Sequence, residues 1–404
     1  MNKESFDPTT LKITDLRIAV IASNFDYTLV RIDTNQGVYG LGEVRDAGHK
    51  ESALMYKGLI LGQNPLNVDK LFRIMKPFAG HGREGGGISA IEIALCDIIG
   101  KVYGVPLYQL LGGKYRDKIR IYADTPTPKE PTPEGYAEKV LERKKMGMTF
   151  IKFDMGINIL RDRVPGGLIG NQLTDKGIAY MVSIVEAIRE AVGYEIPLAI
   201  DHFGPLSVGD CIRLGNALEK FSLAWLEDMR PWTDIEGNRE ITQAIRTPTL
   251  TGEDIFSLNG FRELIDKRAV RIIHPDLLTA GGVRETKKIA DYAEEKSAMP
   301  TALHFAGSPI GFMASVHVAA AIHDFIALEH HALDIPWWKD LVTGLPSPLI
   351  EDGYVKVPDK PGLGLDLNEK VIREHLRYPG YFEPTPEWDT PKYGFYKPPT
   401  ASSF

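Results

Sequence analysis

Hydrophobic and polar positions change their rhythm twice along the chain, and each rhythm predicts a different kind of element. Over residues 11 to 44 apolar and polar residues alternate, the period of a half-buried strand. "YTLVRIDTNQGVYGLGEV" predicts two strands around a turn at Asn35-Gln36-Gly37. From Gly85 the period lengthens. "ISAIEIALCDIIGKVYG" repeats apolar residues at helical spacing, and Gly104 followed by Pro106 marks its end. Residues 1–118 therefore predict an antiparallel sheet with helices, an α+β unit.

After "LLGGKYRDK" short apolar runs alternate with amphipathic helices. The runs cover 119–124, 150–155, 197–203, 223–229, 248–256, 270–276, 300–306 and 325–331. Helices such as "GIAYMVSIVEAIREAVG" and "VRETKKIADYAEEKSA" lie between them. Eight strands alternating with helices predict an α/β fold of the TIM-barrel type over residues 119–354. A doubly wound sheet is the competing architecture. It wants a glycine-rich nucleotide loop after its first strand, and "IRIYADTPTP" has none. Residues 355–404 turn irregular. "EDGYVKVPDKPGLGLDL" reads as a turn-rich return towards the first unit. The proline- and aromatic-rich tail "PTPEWDTPKYGFYKPPTASSF" is expected on the surface, against that unit or a neighbouring subunit of a homo-oligomer.

Composition narrows the function. The 404 residues exceed what one compact core usually carries. A hydrophobic content of 43% with 25% charged residues is that of a soluble globular protein. The net charge of -7, with no basic run, makes nucleic acid and anionic membrane poor partners. Cys96 and Cys211 both sit in apolar patterns, which argues against a disulfide scaffold and fits a reducing compartment. "MNKESFDPTT" lacks the apolar core of a signal peptide, and no apolar run approaches the length of a membrane span. The expectation is a cytoplasmic protein that acts on a small molecule.

The chemistry gathers where strands end, because a barrel of this type builds its site at the C-terminal ends of its strands. The apolar run "LAWLEDM" closes on Glu227. The run before it closes on Asp201 and the run after it on Glu253, each one βα unit away. One such acid alone reads as a helix cap or a solvated strand end sooner than as a ligand. Three on adjacent strands would crowd one space and raise each other's pKa. A hard divalent cation removes that conflict, and Mg²⁺ takes oxygen ligands while keeping positions for water or substrate. Asp201, Glu227 and Glu253 are thus the expected metal ligands, with Asp228 turned away into packing. Asp276 and His304 close the sixth and seventh strands and predict a dyad, the carboxylate fixing the imidazole tautomer and raising its basicity. Glu329 closes the eighth strand as a partner for a substrate carboxylate or enolate. Lys152 and Asp154 share a face of the second strand.

Through these residues the sequence resembles the enolase superfamily in its mandelate racemase-like branch. The resemblance spans nearly the whole chain, through "GVYGLGE", "SAIEIALCDIIGKVYGVPLYQLLGG", "WLED", "TGED", "PDLLTAGGV" and "EDGYVKVPDKPGLGL". It implies a modified (β/α)7β barrel with an α+β capping domain formed from both chain ends. It implies Mg²⁺ on Asp201, Glu227 and Glu253, a general base in the Asp276–His304 dyad, and Glu329 beside the substrate. The shared chemistry it implies is removal of the proton α to a carboxylate. The metal and Lys152 would neutralise the developing enediolate.

Two departures bear on the reaction. Racemases of the branch carry Lys-x-Lys on the second strand; Asp154 holds the second place, which favours elimination over racemisation. Some acid-sugar dehydratases of the branch place a His two residues after the third-strand ligand. Phe203 stands there, and His202, one residue after the ligand, should alternate away from Asp201. The expected function is Mg²⁺-dependent dehydration of an aldonate or aldarate. His304 takes the C2 proton, and the C3 hydroxide leaves with help from His304 itself or Asp154, giving a 2-keto-3-deoxy acid. Arg45 and His49, in the first unit's loops, and His202 are the candidates for substrate contact. Epimerisation, racemisation or cycloisomerisation through the same enediolate is the nearest alternative. A non-catalytic metabolite-sensing or interaction protein on this scaffold is the distant one. "GHGREGGGIS" and "LLGGK" lack the G-x-x-x-x-G-K-[ST] spacing of a nucleotide loop and read as turns and helix starts.

Overall fold

A computed structural model describes residues 6–46 and 48–391. The last thirteen residues of the aromatic tail, for which a surface position is expected, lie outside the described residues. The first alternating stretch forms an antiparallel sheet of β1 (Ile13–Ile21), β2 (Tyr27–Thr34) and β3 (Tyr39–Val44), in that order. The β2–β3 hairpin turns at Gly37, whose φ of 82° suits glycine. Helix α1 (Gly86–Tyr103) packs across β3. Gly40 and Gly42 permit this approach: a Cβ on either would fall 1.9 Å from the carbonyl oxygen of Ala94 or Ala90. Helix α1 is buried on all faces because its far side meets the barrel, which explains its near-continuous apolar character.

Eight parallel strands form the barrel. They are β4 (Lys118–Ala123), β5 (Ile151–Asp154), β6 (Leu198–Asp201), β7 (Trp225–Glu227), β8 (Thr249–Thr251), β9 (Ile272–Ile273), β10 (Thr301–Leu303) and β11 (Phe325–His330). Pairing of β11 with β4 closes the ring. The helices between them are α2 (Pro133–Lys145), α3 (Asp175–Val192), α4 (Val208–Leu218), α5 (Ile235–Ala244), α6 (Ser257–Asp266), α7 (Val283–Ser297) and α8 (Pro309–Ala321). No barrel helix follows β11; a short 3₁₀ turn at Trp338–Leu341 takes its place. This is the (β/α)7β arrangement. A short strand, β12 (Tyr354–Lys356), pairs antiparallel with β4.

One side chain from each strand or its lead-in fills the barrel interior: Tyr122, Phe150, Ala199, Trp225, Leu250, Ile272, Ala302 and Ala327. The rings of Tyr122, Phe150 and Trp225 meet at centroid distances of 4.8 to 5.6 Å. Two residues further on, the next inward positions are polar on most strands. Tyr122 is followed by Asp124, Phe150 by Lys152, Ala199 by Asp201, and Trp225 by Glu227. Ile272 is followed by His274, Ala302 by His304, and Ala327 by Glu329. A greasy plug thus supports a charged layer.

Two buried glutamates join the capping sheet and α1 to the barrel. Ser308 donates its backbone N–H (2.7 Å) and hydroxyl (2.6 Å) to Glu43 of β3, and Gly311 donates its N–H (3.0 Å). These donors open α8. Val283 and Arg284 donate backbone N–H groups to Glu92 of α1 at 2.7 and 3.2 Å, at the start of α7. In each case the cap supplies the carboxylate that a barrel helix N-terminus lacks. Asp97 of α1 accepts from Leu41 and, across the chain, from Leu363 of the C-terminal return. The return also reaches the first sheet through an Ile21–Leu376 bridge and an Arg377–Asp26 ion pair. Among the described residues no helix is long and apolar enough to cross a membrane, and both cysteines are buried and unpaired.

Candidate active site

The charged layer opens at the C-terminal ends of the strands. Lys152 stands at its centre, buried, with Nζ 2.8 Å from Asp201, 3.2 Å from Glu227 and 2.7 Å from Glu329. Burial disfavours its ammonium, but the three carboxylates outweigh that and hold its pKa well above the usual lysine value. Asp276 and His304 form the expected dyad. Nδ1 of His304 lies 2.6 Å from Asp276 Oδ2, and Nε2 points inward, 2.9 Å from Glu253 Oε2. The other oxygen of Asp276 accepts from the Leu278 backbone, which fixes the carboxylate. Glu329 is fully buried; burial opposes its charge, but Lys152, His304 and His331 pull its pKa well below the carboxylate range.

Glu253 reaches the centre through a break in the strand pattern. Gly252 at φ 141° interrupts the alternation after β8, and a Cβ there would lie 2.7 Å from the Phe261 ring. Glu227 arrives by regular alternation and accepts from the Trp225 indole at 3.0 Å.

Ligand atoms of Asp154, Asp201 and His202 lie within 4.8 Å of one another, and so do those of Glu227, Glu253 and His274, and those of His304, Glu329 and His331. Asp201 and Glu227 face Lys152, while Glu253 faces His304 and Arg45. The donors still fit a hard cation. Burial and the Asp201 charge hold Glu227 well above the usual carboxylate range, and a cation among these oxygen donors would favour their charged forms. The centre can therefore hold a divalent metal.

Asp228 leaves the strand at φ 45°, accepts a hydrogen bond from Thr251 Oγ1, and has its pKa pushed up by burial and by Glu253 and Asp201. Two expectations are corrected. Arg45 is not a loop residue aimed at the far end of a substrate. It is 1% exposed and reaches under the dyad, with Nη1 2.9 Å from Asp276 and 3.2 Å from His304 Nδ1 and Nη2 3.3 Å from Glu253; it also pairs with Asp46. His202 does not alternate away. Its φ of 57° brings Nδ1 to 3.6 Å from Asp201, with the side chain 60% exposed at the rim.

Other placements follow the sequence pattern. Asp154 shares the rim with Asp201 and His202, and burial with the Asp124 and Asp201 charges pushes its pKa up to about 7. His49 lines a cleft of about 530 Å³ with Asn24, Phe25, Asp26 and Tyr378. Phe25 from that cleft packs against His331 at the barrel mouth, ring centroids 6.0 Å apart.

Sequence reasoning missed Tyr122, Asp124, His274 and His331. Tyr122 donates to Glu329 at 2.9 Å and lies 2.7 Å from His274 Nε2. His274 Nδ1 is 3.0 Å from Glu227, yet outside hydrogen-bond geometry. Counting two residues on from each plug position would have found Asp124 and His274, and four on from Ala327 gives His331.

Comparison with known proteins places this geometry. Residues 9–112 match the mandelate racemase / muconate lactonizing enzyme N-terminal domain, and residues 135–371 the enolase C-terminal domain-like family. The chain belongs to the mandelate racemase / muconate lactonizing enzyme family. It is 39% identical over 374 residues to a D-xylonate dehydratase of Haloferax volcanii, covering 90% of this chain and 89% of that one. It is 31% identical over 368 residues to a D-gluconate/D-galactonate dehydratase of Picrophilus torridus, covering 88% and 89%. A mandelate racemase/muconate lactonizing enzyme-like protein from Rubrobacter xylanophilus superposes with a TM-score of 0.85 at 33% identity, covering 92% of this chain and 99% of that one.

Proposed function

We propose that this protein, a hydro-lyase of its family, dehydrates an aldonate or aldarate to a 2-keto-3-deoxy acid. The observation that carries the reading is the His304 ring, held by Asp276 at Nδ1 and aimed by Nε2 into the acidic centre. Asp276 keeps a proton on Nδ1, so Nε2 is the nitrogen that takes the substrate's C2 proton. Lys152, on the same layer, donates to the substrate carboxylate as negative charge moves onto its oxygens. Glu329, held by Tyr122, orients the same end of the substrate.

Asp201, Glu227 and Glu253 would hold Mg²⁺. Bound there, the cation supplies charge neutralisation for a developing enediolate. Loss of the C3 hydroxide completes the reaction, and the enol ketonises. His49, which lines the cleft, and His202, at the rim, are the residues assigned to the distal hydroxyls. Epimerisation would need a second strong base opposite His304, and Asp154 occupies that position on β5.

The test is a mass-resolved screen of C4–C6 aldonates and aldarates with Mg²⁺, with and without chelator, on wild type and His304→Asn. A product lighter by one water, lost with chelator and lost in H304N, is expected. Full turnover in H304N, or in the chelated protein, overturns the reading.

A further inference from the structure

Dehydration needs an acid as well as a base, since hydroxide is a poor leaving group at neutral pH. Asp154 is one candidate, and it shares its rim with Asp201. A second aspartate–histidine pair stands beside it, close enough for the Asp124 charge to act on Asp154. Asp124 follows β4 and His331 follows β11, on neighbouring strands. Nδ1 of His331 lies 3.3 Å from Asp124 Oδ2. Its Nε2 pairs with Glu329 Oε1 at 3.1 Å, outside good hydrogen-bond alignment. A substrate oxygen placed along the N–H direction would take that proton in better geometry. The His331 ring stands 5.8 Å from the His304 ring, a spacing that lets the two reach adjacent carbons of one substrate. Phe25 closes over it from the cap, and the side chain keeps 17% exposure towards the mouth.

We propose that His331, oriented by Asp124, is the general acid that protonates the departing C3 hydroxyl. The proposal rests on the dehydratase reading above. His304 takes the C2 proton, and the C2–H electron pair moves into the enediolate. The C3–O bond then breaks as that pair forms the C2–C3 double bond. The oxygen leaves as water with the Nε2 proton of His331, which becomes neutral. Ketonisation places a proton on C3 as the enol oxygen releases its own, His304 passes the C2 proton to solvent, and solvent restores the proton on His331. The net change is loss of one water. The groups facing His331 agree with a proton donor. Burial works against its charged form, but Asp124 and Glu329 outweigh burial and Lys152, and its pKa lies above the usual histidine value.

The test compares two leaving groups in the full-length protein with Mg²⁺. D-Xylonate and D-gluconate are turned over beside their 3-deoxy-3-fluoro analogues, because fluoride departs without needing a proton. His331→Asn should lose about 10²- to 10⁴-fold in kcat on the hydroxy substrates, and retain wild-type turnover of the fluoro analogues. Asp124→Asn should show the same selectivity, more weakly. Equal loss on both leaving groups in H331N and D124N overturns the proposal, since a merely structural role would give that result. So does undiminished water loss in H331N. Failure of wild type on every sugar acid would instead overturn the dehydratase reading.

Discussion

At the scale of single residues, Arg45 makes the sharpest prediction. Its guanidinium neutralises Asp276 and Glu253 in a place that water does not reach. Removing one partner of such a buried set leaves uncompensated charge and costs about 3–5 kcal/mol. Arg45→Met should lower the unfolding midpoint in denaturant accordingly. Arg45→Lys should recover only part, because one ammonium does not span both carboxylates. An unchanged midpoint in R45M would show that the set is solvated. Glu43 predicts a pH dependence. Burial raises its pKa from 4.5 to about 7, so between those values the folded protein holds a proton that the unfolded chain has lost. Its contribution to stability is complete below the lower value and disappears as pH rises through the upper one, a change of roughly 3 kcal/mol. Wild type should therefore lose Tm between pH 5 and 8 relative to Glu43→Gln, which cannot ionise. A wild-type Tm that rises relative to E43Q over that range contradicts this.

Residues were legible where regular alternation set their direction. Asp201, Glu227, Asp276, His304 and Glu329 end strands whose apolar positions already fix which side is inside. Arg45 was not legible, because its partners Asp276 and Glu253 come from another part of the chain and no local pattern encodes the depth of a loop residue. His202 was misread for a different reason. It adopts positive φ without being glycine, which alternation cannot anticipate.

At the scale of elements, the barrel rhythm was readable because eight apolar runs recur at regular intervals, and strand ends erred by only a few residues. The short β9, Ile272–Ile273, sits inside a longer apolar run since the following His274 and Asp276 belong to the mouth rather than the ladder. The glycines of β3 are equally informative. They belong to the motif "GVYGLGE", and the contact with α1 is the cause of their spacing. Gly42→Ala puts a methyl against the Ala90 carbonyl, where backbone has to shift. Overpacking of this kind typically costs about 1–3 kcal/mol. The expected result is a lower Tm with KM and kcat preserved at temperatures where the variant is folded. A G42A protein as stable as wild type would show that α1 is loosely docked.

At the scale of the whole molecule, a divalent cation should act as a stabilising ligand. Binding to the folded state alone adds about 2.7 kcal/mol at a hundredfold excess over Kd. Mg²⁺ should thus raise Tm in a concentration-dependent way, and Asp201→Asn or Glu227→Gln should abolish the rise. A shift that survives in both variants would move the ion elsewhere.

The glutamates that seal α7 and α8 bear on how such a molecule could be rearranged by recombination. A gene fragment encoding the strands from Lys118 onward would deprive two helix starts of the carboxylates that receive their amide hydrogens here. Swapping in a foreign lid would succeed only where the donor brings an acid at both places, Glu43 and Glu92. The two halves are thus matched at these contacts, and a change of loops within the lid would leave the match intact where an exchange of the whole lid would not.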